Sequence, residues 1–302
     1  MPADAIQYPL GAPTISGTTY TVDFLLENPT RVTRIVNDLV MRNFFLDKVF
    51  ATGGDVSGGA VIYDQATAYD VYTDRDVERI EPGNEAPIVT GQRGAPLTAQ
   101  VEKFGGKFPI TDEARRRNNI SRFNNQTRRL SNTIVRKMHQ RGLAELAAVI
   151  TAQSRTASTI SWAQAMALTG TTRAPSLMPM RSIAAARKES ENNEMGYAYD
   201  TIICNPTEAE ALRVCYGSEL SAVLADNGIT ELISTPRKAV GSVYILAGRQ
   251  VGEMRLEEPL RTTTDREGAP TLREQTWVQS LVNPVMYVTD PFAILELTGT
   301  NA

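Results

Sequence analysis

Residues 51 to about 95 hold too few apolar side chains, too widely spaced, to bury themselves. The stretch opens with GGDVSGG, passes through short β-prone pieces at 60–63 and 69–72, and ends in the charged run DRDVERIEPGNEAP. Residues 1 to about 27 are also rich in Gly, Pro, Thr and Ser without sustained periodicity, and read as an extended arm. Ordering backbone costs about 1–2 kcal/mol per residue, so about seventy residues outside a core demand on the order of 100 kcal/mol from contacts elsewhere. An isolated globule, stable by only about 5–15 kcal/mol, has no such surplus. Val61, Ile62, Tyr63, Tyr69, Val71, Tyr72, Ile80 and Ile88 are threaded through the second stretch. They favour docking on another surface over a solvated linker.

The remainder is patterned for a core of mixed α and β elements. Asn28 as N-cap, Pro29 in the first turn, and Val32, Ile35, Val36, Leu39, Val40 and Phe44 on one face predict a helix to about Leu46. Leu97, Ala99 and Val101 alternate with polar residues as in a half-buried strand. A helix should begin at Thr111, with Asp112 and Glu113 at the positive end of its dipole, and break near Asn118 and Asn119. Phe123, Leu130, Ile134, Met138, Leu143, Leu146 and Ile150 then continue a helical stripe, long enough to act as a strut.

Between 176 and 280 the element types alternate. Residues 182–194 read as a helix ending at Gly196, and YDTIIC as a buried strand. Asn205, Pro206 and Glu208 suggest a capped helix with a capping box, stopped by Gly217. Asn227 and Gly228 form a turn, and SVYILAG is a further strand. The apolar, β-prone end of the chain, broken by Pro284 and Pro291, reads as strands closing a sheet.

Chemistry is sparse. The sole histidine, His139, has no neighbouring nucleophile and reads as helix surface or subunit contact. Gly53 to Gly59 has the spacing of a phosphate loop, but Gly59 and Ala60 stand where the cation and hydroxyl belong. The carboxylates of Asp74, Asp76, Glu78, Glu81 and Glu85 would suit a hard metal ion. Arg75 and Arg79 are interleaved with them, however, which better fits charge pairing across a subunit boundary. Arg115, Arg116, Arg117, Arg122, Arg128, Arg129, Arg136 and Arg141 make the long helix basic. Yet the chain has a net charge of −3 and a pI near 5.5, which argues against phosphate neutralisation as its main work. Ion pairs with neighbouring subunits are the better assignment. Cys204 and Cys215 fit neither a metal spacing nor a disulfide framework and read as buried small hydrophobes. No secretory signal and no apolar run of membrane-spanning length occur.

Several segments, in order along the chain, resemble one family. They are the N-terminal arm, a helix ending in FFLDKVF, the glycine-flanked hairpin, ERIEPGNEAP at 78–87, FGGKFPITDEA at 104–114 leading into a long helix, and a terminal VMYVTDPFAI. Together they look like the major capsid protein of tailed bacteriophages, the Hong Kong ninety-seven fold, and are similar to capsids of phages of actinobacteria. The resemblance implies an α+β capsid fold with five parts. Residues 1–50 would be the N-terminal arm and first helix, and 51–100 the E-loop hairpin. Residues 101–175 would form the peripheral domain, with a spine helix over 111–153, and 176–280 the axial domain. Residues 281–302 would be terminal strands returning to the peripheral domain.

The resemblance further implies a virion subunit, assembled in the host cytoplasm, that forms hexamers and pentamers of an icosahedral shell around double-stranded DNA. Assembly contacts are expected at Val61, Ile62, Tyr63, Tyr72, Arg75, Asp76, Glu78, Arg79 and Glu85. No catalytic residue, cofactor or metal is expected. Expected partners are further copies of itself, portal and scaffold proteins, and in some shells a decoration protein. Packaged DNA would be touched weakly and without sequence specificity, and no membrane is involved. Some family members crosslink through an E-loop lysine. Here the lysines are Lys48, Lys103, Lys107, Lys137, Lys188 and Lys238, none of them in the hairpin, so no crosslink is expected. Some members carry an N-terminal scaffold segment that this sequence lacks, and Met1 favours a separate scaffold protein over a cleaved chain. The rival readings are an encapsulin-type compartment of the same fold and, from another class, a metal-dependent enzyme using the 74–85 carboxylates.

Overall fold

The computed structural model describes residues 22–301 apart from 28, 43, 68–69, 71, 74–75, 84, 92–93, 169–172 and 267–274. The expected arm thus lies outside the described residues up to 21. Its last six residues are not extended but form a helix, α1 (Val22–Glu27), with Val22, Leu25 and Leu26 buried. The expected cap at Asn28 also lies outside the described residues. α2 (Pro29–Arg42) buries Val32, Val36 and Val40 as the periodicity requires, but ends short of Leu46. Phe44 and Phe45 leave the helix to cover His139, and a separate turn, α3 (Leu46–Val49), follows.

Next come β1 (Ala51–Thr52), β2 (Ala60–Tyr63), β3 (Leu97–Gln100), β4 (Phe104–Thr111), α4 (Asp112–Arg116) and α5 (Ile120–Ala152). The chain continues with β5 (Thr156–Ser158), α6 (Trp162–Ala167), α7 (Pro179–Asn192), β6 (Thr201–Cys204), α8 (Pro206–Tyr216) and α9 (Leu220–Asp226). It ends with β7 (Glu231–Ser234), β8 (Ser242–Leu246), β9 (Gly252–Arg266), β10 (Gln275–Val288) and β11 (Ile294–Thr298).

A four-stranded sheet has the order β1-β9-β10-β4, a five-stranded sheet the order β5-β11-β8-β6-β7, and β2 and β3 form a separate hairpin. One hydrophobic cluster runs from Val22 to Leu297 and joins the two larger sheets. α5, 33 residues and about 50 Å long at 1.5 Å per residue, packs against α2, β4 and β10. It buries Phe123, Ile134, Met138, Leu143, Leu146 and Ile150, the stripe read from the sequence, with Leu130 only half-buried. The break before it is real: Asn118 has φ 48°, a left-handed conformation that Asn tolerates, and Asn119 caps α5 by accepting from the Arg122 N–H at 3.1 Å. Asn118 Oδ1 also accepts from the Val22 N–H at 2.9 Å, so the break helps fix the start of α1.

Several expectations need correction. β4 escaped the sequence reading because Gly105, Gly106 and Pro109 are residues that strands disfavour. As an edge strand it tolerates Pro109, and Gly105 is required by contact: a Cβ there would lie 2.4 Å from the Leu281 side chain and 2.5 Å from the Ser280 carbonyl oxygen. The capping box does not form. Asn205 does cap α8, accepting from the Thr207 N–H, but Glu208 instead accepts from the Gly241 N–H at 2.7 Å. Residues 69–72 contain no strand among the described residues.

The division at 280 cuts through β10, which pairs with both β4 and β9. The last strand does not return to that sheet: β11 lies between β5 and β8 in the five-stranded one. Ile294, Leu295 and Leu297 are all buried, the pattern of a strand covered on both faces, which needs partners along both edges.

Candidate assembly surface

The hairpin is rooted in its own subunit. Val61, Tyr63, Ala99 and Val101 lie on one face, because side chains two apart share a face and Val61 opposes Ala99 while Tyr63 opposes Leu97. That face packs on Val56, Val285 and Tyr287, and the Tyr63 and Tyr287 rings stack at 4.6 Å. Burial, with Glu145 nearby, raises the Tyr63 phenol above its ordinary pKa. The Tyr287 hydroxyl donates to Glu253 Oε2 at 2.6 Å, and Arg255 pairs with the same carboxylate. Where the chain returns, the Glu102 N–H donates to the Pro284 carbonyl. Glu102 also accepts from Arg141 Nε at 2.6 Å, and Arg141 pairs in turn with Glu145. Arg141, expected to face a neighbour, is therefore satisfied within the chain.

Beyond the root the loop is held at few points. Gln65 Nε2 donates to the Val288 carbonyl and the Ala66 N–H to the Thr289 carbonyl. Asp70 accepts from the Thr67 N–H at 2.6 Å, and the Tyr72 hydroxyl donates to Glu194. From there to β3 the described residues lie almost wholly in solvent. Of the eleven large hydrophobic side chains exposed among the described residues, seven belong to the hairpin and its loop: Ile62 and Leu97 on the strands, and Tyr72, Val77, Ile80, Ile88 and Val89 between them. Val77 and Ile88 are 78% and 80% exposed, which no isolated subunit gains from.

The nine expected contact residues therefore separate. Val61 and Tyr63 are half-buried at the root against β10. Ile62, on the opposite face of β2, is 75% exposed. Tyr72, Asp76, Glu78, Arg79 and Glu85 are exposed, and Arg75 lies outside the described residues. Val77 was missed in the sequence because it sits singly among charged residues, and Val89 because, beside Ile88, it adds no periodicity that would mark it.

His139 is neither surface nor subunit contact. It is 1% exposed, ringed by Phe44 and Phe45, and its Nε2 accepts from the Phe45 N–H at 3.3 Å. Burial, reinforced by nearby Arg237, lowers its pKa to about 4. Cys204 and Cys215 are buried free thiols. Burial raises both pKa values, that of Cys204 to about 12. Among the described residues no three His, Cys, Asp or Glu side chains gather as a metal site, and no helix is long and apolar enough to cross a membrane.

Comparison with known proteins returned matches of two kinds. The family model described as phage capsid protein matches residues 94–297. Among solved structures, the virus-like particle from Pyrococcus furiosus superposes with a TM-score of 0.61 at 14% identity, covering 88% of this chain and 98% of that one. The structure titled Mycobacterium phage Bobi gives 0.56 at 13% identity, covering 86% and 89%. The capsid of the myovirus XM1 gives 0.52 at 15% identity, covering 95% of each chain. No curated protein sequence matches.

Proposed function

Because the chain belongs to the phage capsid protein family, we propose that the loop between β2 and β3 is the part of the subunit that ties neighbouring copies together in the shell. The protein is a major capsid subunit of the virion with the Hong Kong ninety-seven fold, and its copies assemble with one another into the head shell. The carrying observation is the contrast between a closed core and five exposed apolar side chains on one thinly tethered loop, with two more, Ile62 and Leu97, on the strands that flank it.

In the finer reading, hexamers and pentamers of this subunit enclose double-stranded DNA. Residues 51–100 act as the E-loop, with Ile62, Tyr72, Arg75, Asp76, Glu78, Arg79 and Glu85 meeting a neighbour. The peripheral part consists of α5 with the four-stranded sheet, and the axial part is the five-stranded sheet with α6 to α9. This allots β11 to the axial part and β9 and β10 to the peripheral one. Each contact is modest, and closure of the shell satisfies them together. The role is structural, with no catalytic group assigned. Portal and scaffold proteins are the expected partners, with a decoration protein as a further one. DNA would be held weakly, since a net charge of −3 promises little counterion release.

The test replaces residues 73–90 by a short Gly-Ser linker. The variant should stay soluble with a melting temperature within a few degrees of the parent, because the described residues of the region removed are almost all exposed. Negative-stain micrographs of the parent should show shells and those of the variant none. Normal shells from the variant would overturn the assignment.

A further inference from the structure

A second surface is unsatisfied within the subunit, and it is polar. A cleft of about 450 Å³ lies between Asn132, Thr133 and Arg136 on α5 and residues 234–237 at the end of β7, with Phe45 in its wall. Arg136 is exposed, whereas Arg237 is partly buried and its Nε is shielded from solvent without any hydrogen-bond acceptor. A desolvated donor without an acceptor is the costliest state for such a group, so a cleft built this way calls for an anion. Neither guanidinium has a carboxylate partner among the described residues, although Arg141, Arg155, Arg187, Arg255 and Arg266 all do. The side chains of Ser234 and Thr235 add hydroxyl donors, while the Thr133 hydroxyl already donates to the Arg129 carbonyl at 2.8 Å.

The same molecule displays the complementary group. Asp76, Glu78, Glu81 and Glu85 are exposed on the loop and pair with no cation among the described residues. Their own loop starts beside the far end of α5, where Gln153 Nε2 donates to Gln65 Oε1. The cleft is centred near residue 134 of the same helix, about 28 Å away at 1.5 Å per residue. We propose that the Arg136–Arg237 cleft of one copy receives the acidic loop segment 76–85 of a second copy.

The contact is head-to-tail. Each copy carries one cleft and one loop on different parts of its surface, so every contact formed leaves another pair open, as growth into rings and shells requires. A phosphate backbone is the less favoured occupant, because the chain's overall charge is negative. The proposal rests on the shell-forming reading and adds which surface the loop meets.

The experiment is a charge swap, read by light scattering and electron microscopy of purified full-length chains at low and high salt. Arg136→Glu with Arg237→Glu should reduce association at least tenfold, and so should Glu78→Arg with Glu81→Arg. All four substitutions in one chain should restore most of it. High salt should weaken the parent and the swapped chain alike. Should Arg237→Glu fail to fold, judged by its melting temperature, Arg136→Glu with Glu78→Arg carries the same swap on exposed positions alone. The proposal is overturned if the swapped chain stays as defective as its parents. It is equally overturned if the cleft variants assemble normally, or assemble normally and lose only co-purifying nucleic acid. A parent chain that never associates sinks the shell-forming reading and this proposal with it, whereas normal shells from every variant sink this proposal alone.

Discussion

His139 sets a pH dependence at the level of one side chain. Its imidazole is neutral in the folded subunit, with a pKa lowered to about 4 by burial and by Arg237, while the unfolded chain returns it to its ordinary value of 6.5. Between those limits the unfolded state binds more protons, so stability rises with pH across the window. The contribution is complete above 6.5 and is lost as pH falls through 4, amounting to about 3 kcal/mol in full. His139→Gln keeps an acceptor for the Phe45 N–H without a titrating group. The parent's melting temperature should therefore fall more steeply than the variant's between pH 6.5 and 4, and parallel slopes would refute the assignment. The sequence placed His139 on a helix correctly. It could not place it in the core, because the rings that enclose it, Phe44 and Phe45, come from a turn ninety residues earlier, which helical spacing does not report. Asn118 and Asn119 were legible for the opposite reason: two residues poor at continuing a helix stood together in the chain.

At the scale of elements, reading succeeded where burial is one-sided and periodic, as in α2 and the C-terminal half of α5. The N-terminal half of α5 buries Asn124, Thr127 and Ser131, and the hydroxyls of Thr127 and Ser131 donate to the carbonyls one turn back, so a polar row does the work of an apolar stripe. β4 was invisible for a sharper reason. Gly105 is there because β10 crowds it and Gly106 because Leu130 of α5 does, and a β10 partner more than 170 residues away leaves no local signature. Gly105→Val should therefore push β4 off β10 and destabilise the subunit by about 1–3 kcal/mol, the range for overfilling a packed site. Denaturant unfolding of unassembled protein measures it, and an unchanged midpoint would mean that the two strands do not approach so closely. The short α9 and β7 were likewise missed, being too brief to show a period.

At the scale of the whole molecule, the capsid fold and the incomplete character of residues 51–95 were legible. The partition into parts was not, because strands distant in sequence share a sheet: β1 pairs with β9, and β5 with β11. Shell cohesion should be wholly noncovalent. The hairpin has no lysine, Lys48 pairs with Glu231, Lys238 is buried against Glu296 at 2.8 Å, and Lys107 lies over the Trp277 ring. Boiling shells in denaturing detergent should release monomers alone, and a ladder of oligomers would contradict this. The placement of β11 has a consequence for timing. Of the five strands in its sheet it is the last to leave the ribosome, yet it fills an interior slot, so during synthesis β5 and β8 face an empty lane. A truncated product lacking that strand would keep the lane open and be exposed to proteolysis, so that only chains translated past it become eligible building blocks.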